Sequence, residues 1–328
     1  MATRSFGAIP KNRWSVINKV NSEGPYLGLV VPNSFEMSPL LQSPSFVQRP
    51  DLPFLDVSGR RFRFGTVGKQ KVIMVMTGLS MLNAGLSTEL LVNLFDVNGV
   101  LHFGIAGNAD SDLQVGDVTI PQFWAHTGLW NWQRYGDGPS DELALESNGD
   151  YTREIGFLNI SDYAADHNKS FGNFLNNVWY QPEEVFPVNG VPEVRQHAIW
   201  VAVDNHYYQL SQKLEGMELP QCINKTTCLS RRPKVVRVEK GCSANTFVDN
   251  AAYRQFLRSK FDVTPLDMES AAVALVCLQQ QVPFIAFRAL SDLAGGGSSE
   301  SNEAAVFGSL AAGNAVSVAV QFISMLSS

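Results

Sequence analysis

Short apolar runs rich in strand-forming residues alternate along this chain with segments whose apolar residues recur at helical intervals. The pattern predicts strands over residues 26–31, 62–67, 71–77, 99–106, 115–121, 235–238 and 283–290, with a hairpin turn at residues 68–69. It predicts helices over residues 80–95, 267–281 and 304–326. Strands that alternate with helices indicate a largely parallel sheet that is covered on both faces. We therefore expect an α/β fold, a single-domain three-layer sandwich with a central mixed, mostly parallel sheet.

The domain organisation follows from where this alternation begins and where it is interrupted. Residues 1–25 are polar and are predicted to be irregular, and the first strand signal follows directly. One domain is expected over residues 26–328. Residues 123–233 are dense in aromatic residues, Asn, Asp, Gly and Pro, which predicts a loop-rich insertion with short elements.

Charge and hydropathy argue against two classes of partner. The 328-residue chain has a formal net charge of −6, and its one dense basic run, Arg231, Arg232 and Lys234, is short. Nucleic acid is therefore not an expected partner, because phosphate backbones are held by extended basic surfaces. No apolar stretch approaches the roughly 20 residues that span a bilayer, so no membrane partner is expected either.

The cysteines and the glycosylation sequons bear on the compartment. Four cysteines are too few for a disulfide scaffold and lack the paired spacing of a zinc site. Cys222 and Cys228 nevertheless flank the sequon at Asn224, and further sequons begin at Asn159 and Asn168. These features favour the secretory pathway, extracellular or vacuolar, and leave a cytoplasmic location open.

Five short motifs occur in a fixed order along the chain. They are residues 77–80 (TGLS), 103–107 (FGIAG), 113–118 (LQVGDV), 267–272 (DMESAA) and 288–292 (RALSD). In this order they resemble the nucleoside phosphorylase and methylthioadenosine nucleosidase family. The overall resemblance is to its plant branch, which includes bark and vegetative storage proteins and cytokinin riboside phosphorylases. The resemblance implies a nucleoside phosphorylase-like fold and a homo-oligomer, dimer or trimer.

Cleavage of an N-ribosidic bond needs an acid for the leaving base, anchors for the sugar hydroxyls and a nucleophile behind the anomeric carbon. Asp292 follows a predicted buried strand, at the sheet edge where α/β proteins place ligands. By resemblance, Asp292 is the acid or hydrogen-bond partner of purine N7, Glu269 binds the ribose hydroxyls, and Met268 packs against the sugar. Asp267 can also cap the helix that follows it.

Further residues take roles by resemblance. Glu36 matches the glutamate that activates water in the nucleosidase branch, with a solvated loop Glu as the alternative. Phe247 or Val248 matches the residue that stacks on the base, with an ordinary buried Phe as the alternative, and Ser291 lies beside the same base site.

The phosphate site departs from the family pattern. The resemblance assigns phosphate to the glycine turn formed by Gly104, Ile105, Ala106 and Gly107. Bacterial phosphorylases hold phosphate with arginines and a Ser or Thr, but the matching positions here are His102 and Ile105. A protonated His102 could supply positive charge, although a strand His can equally be a hydrogen-bonded core residue.

These features together predict phosphorolysis of purine-type ribosides, adenosine or cytokinin ribosides among them, to free base and ribose 1-phosphate. Two alternatives stay open: hydrolysis with Glu36 activating water, and a vegetative storage protein with little or no activity. We expect no metal and no organic cofactor, because the five histidines show no ligand spacing and no nucleotide-binding loop is present. Nucleoside and inorganic phosphate are the expected small-molecule partners.

Overall fold

A central eleven-stranded sheet organises the protein. The computed structural model describes residues 9–132, 157–159, 177–296 and 303–327. The strands are β1 (Tyr26–Val31), β2 (Phe46–Gln48), β3 (Phe54–Val57), β4 (Arg60–Val67), β5 (Gln70–Met76), β6 (Val97–Asn108), β7 (Val118–His126), β8 (Trp130–Trp132), β9 (Phe157–Asn159), β10 (Asn177–Tyr180), β11 (Glu183–Val185), β12 (Gln196–Ala198), β13 (Val201–Ala202), β14 (Val235–Ser243), β15 (Val263–Asp267) and β16 (Phe284–Leu293). The helices are α1 (Lys11–Asn21), α2 (Ser34–Leu41), α3 (Met81–Leu94), α4 (Asn205–Ser211), α5 (Ala251–Phe261), α6 (Ser270–Gln280) and α7 (Glu303–Leu326).

The sheet is mixed, with parallel pairs at its centre. Strand β1 lies parallel between β5 and β6, and β16 runs parallel to β6. The predicted hairpin between β4 and β5 is present and antiparallel. Strand β16 also pairs with β7, so that β6, β16, β7, β14 and β15 form a closed ring of pairings. This ring brings the ends of β6, β15 and β16 together.

Helices cover both faces of the sheet. Successive residues of β1 enter different clusters, because side chains alternate between the faces of a strand. Leu29 packs in a cluster that includes Phe322 of α7, whereas Val30 packs in one that includes Leu91 of α3 and Val273 of α6. The expected α/β fold with a central mixed sheet between helical layers is confirmed.

The N-terminal segment differs from the irregular chain that we expected over residues 1–25. Helix α1 occupies Lys11–Asn21 and buries Ile17 and Val20. The side chain of Asn21 donates a 3.0 Å hydrogen bond to the carbonyl of Leu94, which ties the end of α1 to the end of α3. The stripe of buried residues is narrow, so the polar majority of the segment concealed the helix.

Helix α7 corrects the expectation that no apolar stretch is long enough to cross a membrane. Residues Ala305–Leu326 meet that criterion by length and composition. Most of this helix is buried, and it packs on β16 and β6, as in the contact between Phe287 and Phe322. This packing is that of a core helix of the sandwich.

The described part of residues 123–233 contains short elements. Strand β7 continues to His126, and strands β8 to β13 have two to four residues each. Helix α4 also lies in this part of the chain. Residues 133–156 and 160–176 of the predicted insertion lie outside the described residues.

Candidate active site

A cavity of about 180 Å³ opens where β1, β6 and β16 end. Ligands of open α/β sheets bind outside the carboxyl ends of strands. All the predicted site residues except His102 and Gly104 line it. They are Glu36, Ile105, Ala106, Gly107, Phe247, Val248, Met268, Glu269, Ser291 and Asp292.

Glu36 is a buried carboxyl group on the first turn of α2, which excludes the solvated loop Glu considered above. Asn33 caps this helix and accepts a 3.0 Å hydrogen bond from the backbone N–H of Glu36. Glu36 Oε1 accepts a 2.6 Å hydrogen bond from the backbone N–H of Ile105. Its Oε2 is buried without a hydrogen-bond partner in the described part of the chain. Burial raises the pKa of Glu36 to about 7, although Arg288 and the Ile105 amide oppose this shift.

Arg288 is a fully buried cation beneath the cavity, and no role is predicted for it from the sequence. Its guanidinium lies 2.6 Å from Asp267 Oδ2, 3.6 Å from Glu269 Oε2 and 3.7 Å from Glu36 Oε1. Three carboxyl groups from α2, β15 and the start of α6 therefore share one arginine on β16. The available signal was an arginine within an apolar strand, because a buried charge requires partners.

His102 does not supply positive charge to the cavity. Its side chain is fully buried. Its Nδ1 lies 2.8 Å from the carbonyl of Val30, so Nδ1 is the donor, and Nε2 contacts Arg288. Burial and the nearby Arg288 lower its pKa well below the usual value. His102 is therefore a hydrogen-bonded core histidine. The expected contact between His102 and phosphate is wrong, because the side chain does not reach the cavity.

Gly104 lies beneath the cavity, against Glu36 and Arg288. A Cβ atom at this position would overlap Glu36 Oε1 and Arg288 Nη1. The absence of a side chain thus lets these two groups approach the backbone of β6.

Asp267 ends β15, where we had predicted the start of a helix, and α6 begins at Ser270. The Asp267 carboxylate accepts hydrogen bonds from the N–H groups of Glu269 (3.2 Å) and Ser270 (3.1 Å) and from the hydroxyls of Ser243 and Ser270. Asp267 therefore takes the capping role that we had considered for it. This leaves the Glu269 side chain available to the cavity.

Glu269 and Met268 line the cavity together. Glu269 Oε1 accepts a 3.2 Å hydrogen bond from the backbone N–H of Ser80 at the start of α3. Burial raises the pKa of Glu269, and Arg288 opposes this effect. The pair offers a carboxyl acceptor beside an apolar side chain.

Asp292 reaches the cavity through an irregularity in β16. Leu290 pairs with Ala106 and Asp292 with Gly107, so Ser291 is an extra residue that redirects the strand. The Ser291 hydroxyl donates a 2.6 Å hydrogen bond to Asp292 Oδ1. Burial raises the pKa of Asp292, the Ser291 hydrogen bond opposes this, and the negative Asp249 adds to it.

Phe247 and Val248 form part of the cavity wall near Asp292. Phe247 is 72% exposed, which excludes the alternative of an ordinary buried Phe. An exposed aromatic ring at a cavity mouth has a free face on which a planar ligand can stack.

The arrangement combines two carboxyl groups with different surroundings. Glu36 has one anchored and one free oxygen, and Asp292 has a single hydroxyl donor beside an apolar wall. Such differences in environment separate a base from an acid. In the part of the chain that the structure describes, no cluster of three or more His, Cys, Asp or Glu side chains has the arrangement of a metal site.

Known proteins resemble the chain over most of its length. Bark storage protein A from Populus deltoides is 31% identical over 302 residues, which cover 92% of this chain and 88% of that protein. A 5'-methylthioadenosine/S-adenosylhomocysteine nucleosidase from Staphylococcus carnosus (strain TM300) is 26% identical over 247 residues, covering 75% of this chain and 79% of that protein.

The fold has solved counterparts as well. The structure of futalosine hydrolase of Helicobacter pylori strain 26695 superposes with a TM-score of 0.60 at 18% identity, covering 93% of this chain and 99% of that one. The family model described as the phosphorylase superfamily matches residues 26–324. The chain therefore belongs to the phosphorylase superfamily.

Proposed function

We propose that the protein hydrolyses the N-ribosidic bond of a purine-type nucleoside to free base and ribose. Hydrolysis is the first of the two alternatives to phosphorolysis that the sequence leaves open. The observation that carries it is Glu36, a buried carboxyl group in the cavity with one oxygen anchored and the other unpaired. The resemblance to a nucleosidase from Staphylococcus carnosus supports the same reaction.

Glu36 is suited to activate water. The Ile105 amide holds Oε1, so Oε2 is free to accept a proton from a water molecule in the cavity. A general base works best when its pKa lies near the working pH, and burial brings the pKa of Glu36 to about 7. The family resemblance assigned the same role to this residue.

The surroundings of the sugar favour a positively charged transition state. Glu36, Asp267 and Glu269 share the single cation Arg288, so the ionised cluster carries excess negative charge. A ribosyl group that loses its base gains positive charge, which fixed carboxylates stabilise. Glu269 accepts from the ribose hydroxyls, and Met268 packs against the sugar.

The leaving base takes a proton from Asp292. The water oxygen bonds to the anomeric carbon as the C–N bond breaks, and the electron pair of that bond goes to the base. Glu36 receives the proton of the water, and Asp292 delivers one to N7. Burial raises the pKa of Asp292 and so favours the protonated form that this step requires.

The same geometry disfavours phosphate as the nucleophile. The Ile105 amide, a predicted phosphate donor, already binds Glu36. His102 is buried, with a lowered pKa, and Arg288 is occupied by carboxyl groups. A phosphate dianion beside Glu36 would meet negative charge with few free donors.

A storage role without turnover is the second candidate, and the similarity to bark storage protein A favours it.

One assay separates hydrolysis, phosphorolysis and storage. Adenosine, 5'-methylthioadenosine and an N6-substituted adenosine are incubated with the protein, each with and without phosphate, and base and sugar products are identified. We expect free ribose or its 5'-methylthio analogue in both conditions. Ribose 1-phosphate formed only with phosphate would support phosphorolysis, and no base release would support storage.

A further inference from the structure

The hairpin from Gln221 to Leu229 is closed by a disulfide at its neck. Cys222 and Cys228 are bonded and pair across an isolated antiparallel bridge. The N–H of Leu229 donates a 3.0 Å hydrogen bond to the carbonyl of Gln221, and Leu229 packs in a buried cluster with Leu310. The base of the hairpin is thus held to the core while its tip is exposed to solvent.

The tip presents the sequon formed by Asn224, Lys225 and Thr226. Asn224 Oδ1 accepts hydrogen bonds from Thr226 N (2.9 Å), Thr226 Oγ1 (3.0 Å) and Thr227 N (2.8 Å). Three donors around one atom identify it as the oxygen of the amide. In the described residues Nδ2 has no hydrogen bond, and both Asn224 and Thr226 are exposed.

The other cysteines match an oxidising environment. Cys242 and Cys277 are unpaired, and both are buried. Burial raises the pKa of both thiols, which suppresses the reactive thiolate. The exposed cysteines are bonded to each other, so no accessible thiol remains to form a wrong pair. Disulfides persist in the secretory lumen and are rare in the cytosol.

We infer that Asn224 is an acceptor for an N-linked oligosaccharide, added while the chain folds in the oxidising secretory lumen. The donor is an oligosaccharide carried on a lipid pyrophosphate. Asn224 Nδ2 forms a bond to the anomeric carbon of the sugar, the bond from that carbon to the pyrophosphate oxygen breaks, and the lipid pyrophosphate leaves with the electron pair. The proton released from Nδ2 passes to a base of the transferase. No oxidation or reduction is involved.

The site is separate from the proposed active site. No residue of the hairpin lines the cavity that holds Glu36 and Asp292. An oligosaccharide on Asn224 would extend from the hairpin tip into solvent, which N-linked glycans require. Glycosylation is therefore expected to leave substrate access unchanged, and the inference stands or falls independently of the hydrolysis.

The test expresses the full chain behind a secretion leader in a eukaryotic host. The variant N159Q/N168Q removes the other two sequons, so that the sequon at Asn224 is the remaining one. Total cell extract and medium are analysed by mobility before and after glycosidase treatment and by peptide mass. We expect a single glycosylated species with the sugar on Asn224. Adding T226A should abolish it, and adding T226S should preserve it.

The same samples test the disulfide between Cys222 and Cys228 and the independence of the glycosylation site from catalysis. Thiol alkylation without reduction should leave Cys222 and Cys228 unlabelled. Because the total cell extract is analysed together with the medium, glycosylation is also detected on a chain that is retained in the cell. An N159Q/N168Q chain whose mobility does not change with glycosidase would overturn the inference, as would labelled Cys222 and Cys228. Equal kcat/KM with and without T226A is expected, and a change would contradict the separation of the two sites.

Discussion

The backbone N–H of Ile105 donates a 2.6 Å hydrogen bond to Glu36 Oε1, joining the glycine turn of β6 to the first turn of α2. Ile105 is one of the residues that the family resemblance assigned to phosphate, and its amide is thereby committed to a carboxyl group of the protein. This relationship depends on Gly104, because a side chain there would overlap Glu36 and Arg288.

The substitution G104A should therefore displace Glu36 and lower kcat by roughly 10²-fold, the usual scale for loss of a general base. The matched control is G85A, since Gly85 lies within α3 with open space around the added Cβ. Alanine is favoured over glycine inside a helix by about 1 kcal/mol, so G85A should keep its activity and gain stability. Equal kcat values for G104A and wild type would show that the close approach of Glu36 to the backbone of Gly104 does not contribute to catalysis.

The substitution E36Q should lower activity and raise stability at alkaline pH. The folded pKa of Glu36 is about 7 against an ordinary value of 4.5. Between these values the folded state binds more protons than the unfolded one, so wild-type stability falls as pH rises through this window. Gln stays neutral, so the free energy of unfolding of E36Q should exceed that of wild type by up to about 3 kcal/mol above pH 7.

Urea unfolding of both proteins at pH 5 and pH 8 measures this difference, and kcat is measured on the same samples. The gain should be small at pH 5 and large at pH 8, while kcat falls by about 10²-fold or more. A difference in unfolding free energy that does not change with pH would show that Glu36 is not a buried carboxyl group with a raised pKa.

Asp292 could be placed at the site from the sequence because it follows a predicted buried strand, at the edge where α/β sheets bind ligands. Glu269, Ile105, Ala106 and Gly107 were assigned by the motif resemblance, and all of them line the cavity. The pattern predicts a helix around Glu269 and misses β15, which ends against β6 in an antiparallel pairing and so brings Glu269 to the cavity.

The roles of Arg288 and His102 could not be predicted from their own segments. Arg288 gains its partners from α2, β15 and α6, and that convergence depends on the closed ring of strands. His102 is neutral because β1 supplies an acceptor and β16 a cation. Helix α2 was also concealed, because Pro39 lies within it.

Asp292 should act as a general acid whose protonated form is required. D292N keeps the size of the side chain and removes the proton, so kcat should fall by roughly 10²-fold or more. The informative companion is S291A, because the Ser291 hydroxyl stabilises the ionised form of Asp292. Its loss should raise the pKa of Asp292 further and move the alkaline limb of kcat/KM to higher pH. An unchanged rate in D292N would exclude the residue from the reaction.

Arg288 should dominate the stability of the site because three carboxyl groups depend on it. R288M leaves them buried without a cation, and breaking a buried pair costs about 3–5 kcal/mol. The loss should be greater at pH 8 than at pH 5, because protonation neutralises carboxyl groups at lower pH. The control R258M removes an arginine that pairs with Asp110 and Asp262 near the surface, where ion pairs contribute about 1 kcal/mol or less. Urea unfolding at both pH values measures the two variants, and a loss in R288M no larger than in R258M would contradict the shared-cation arrangement.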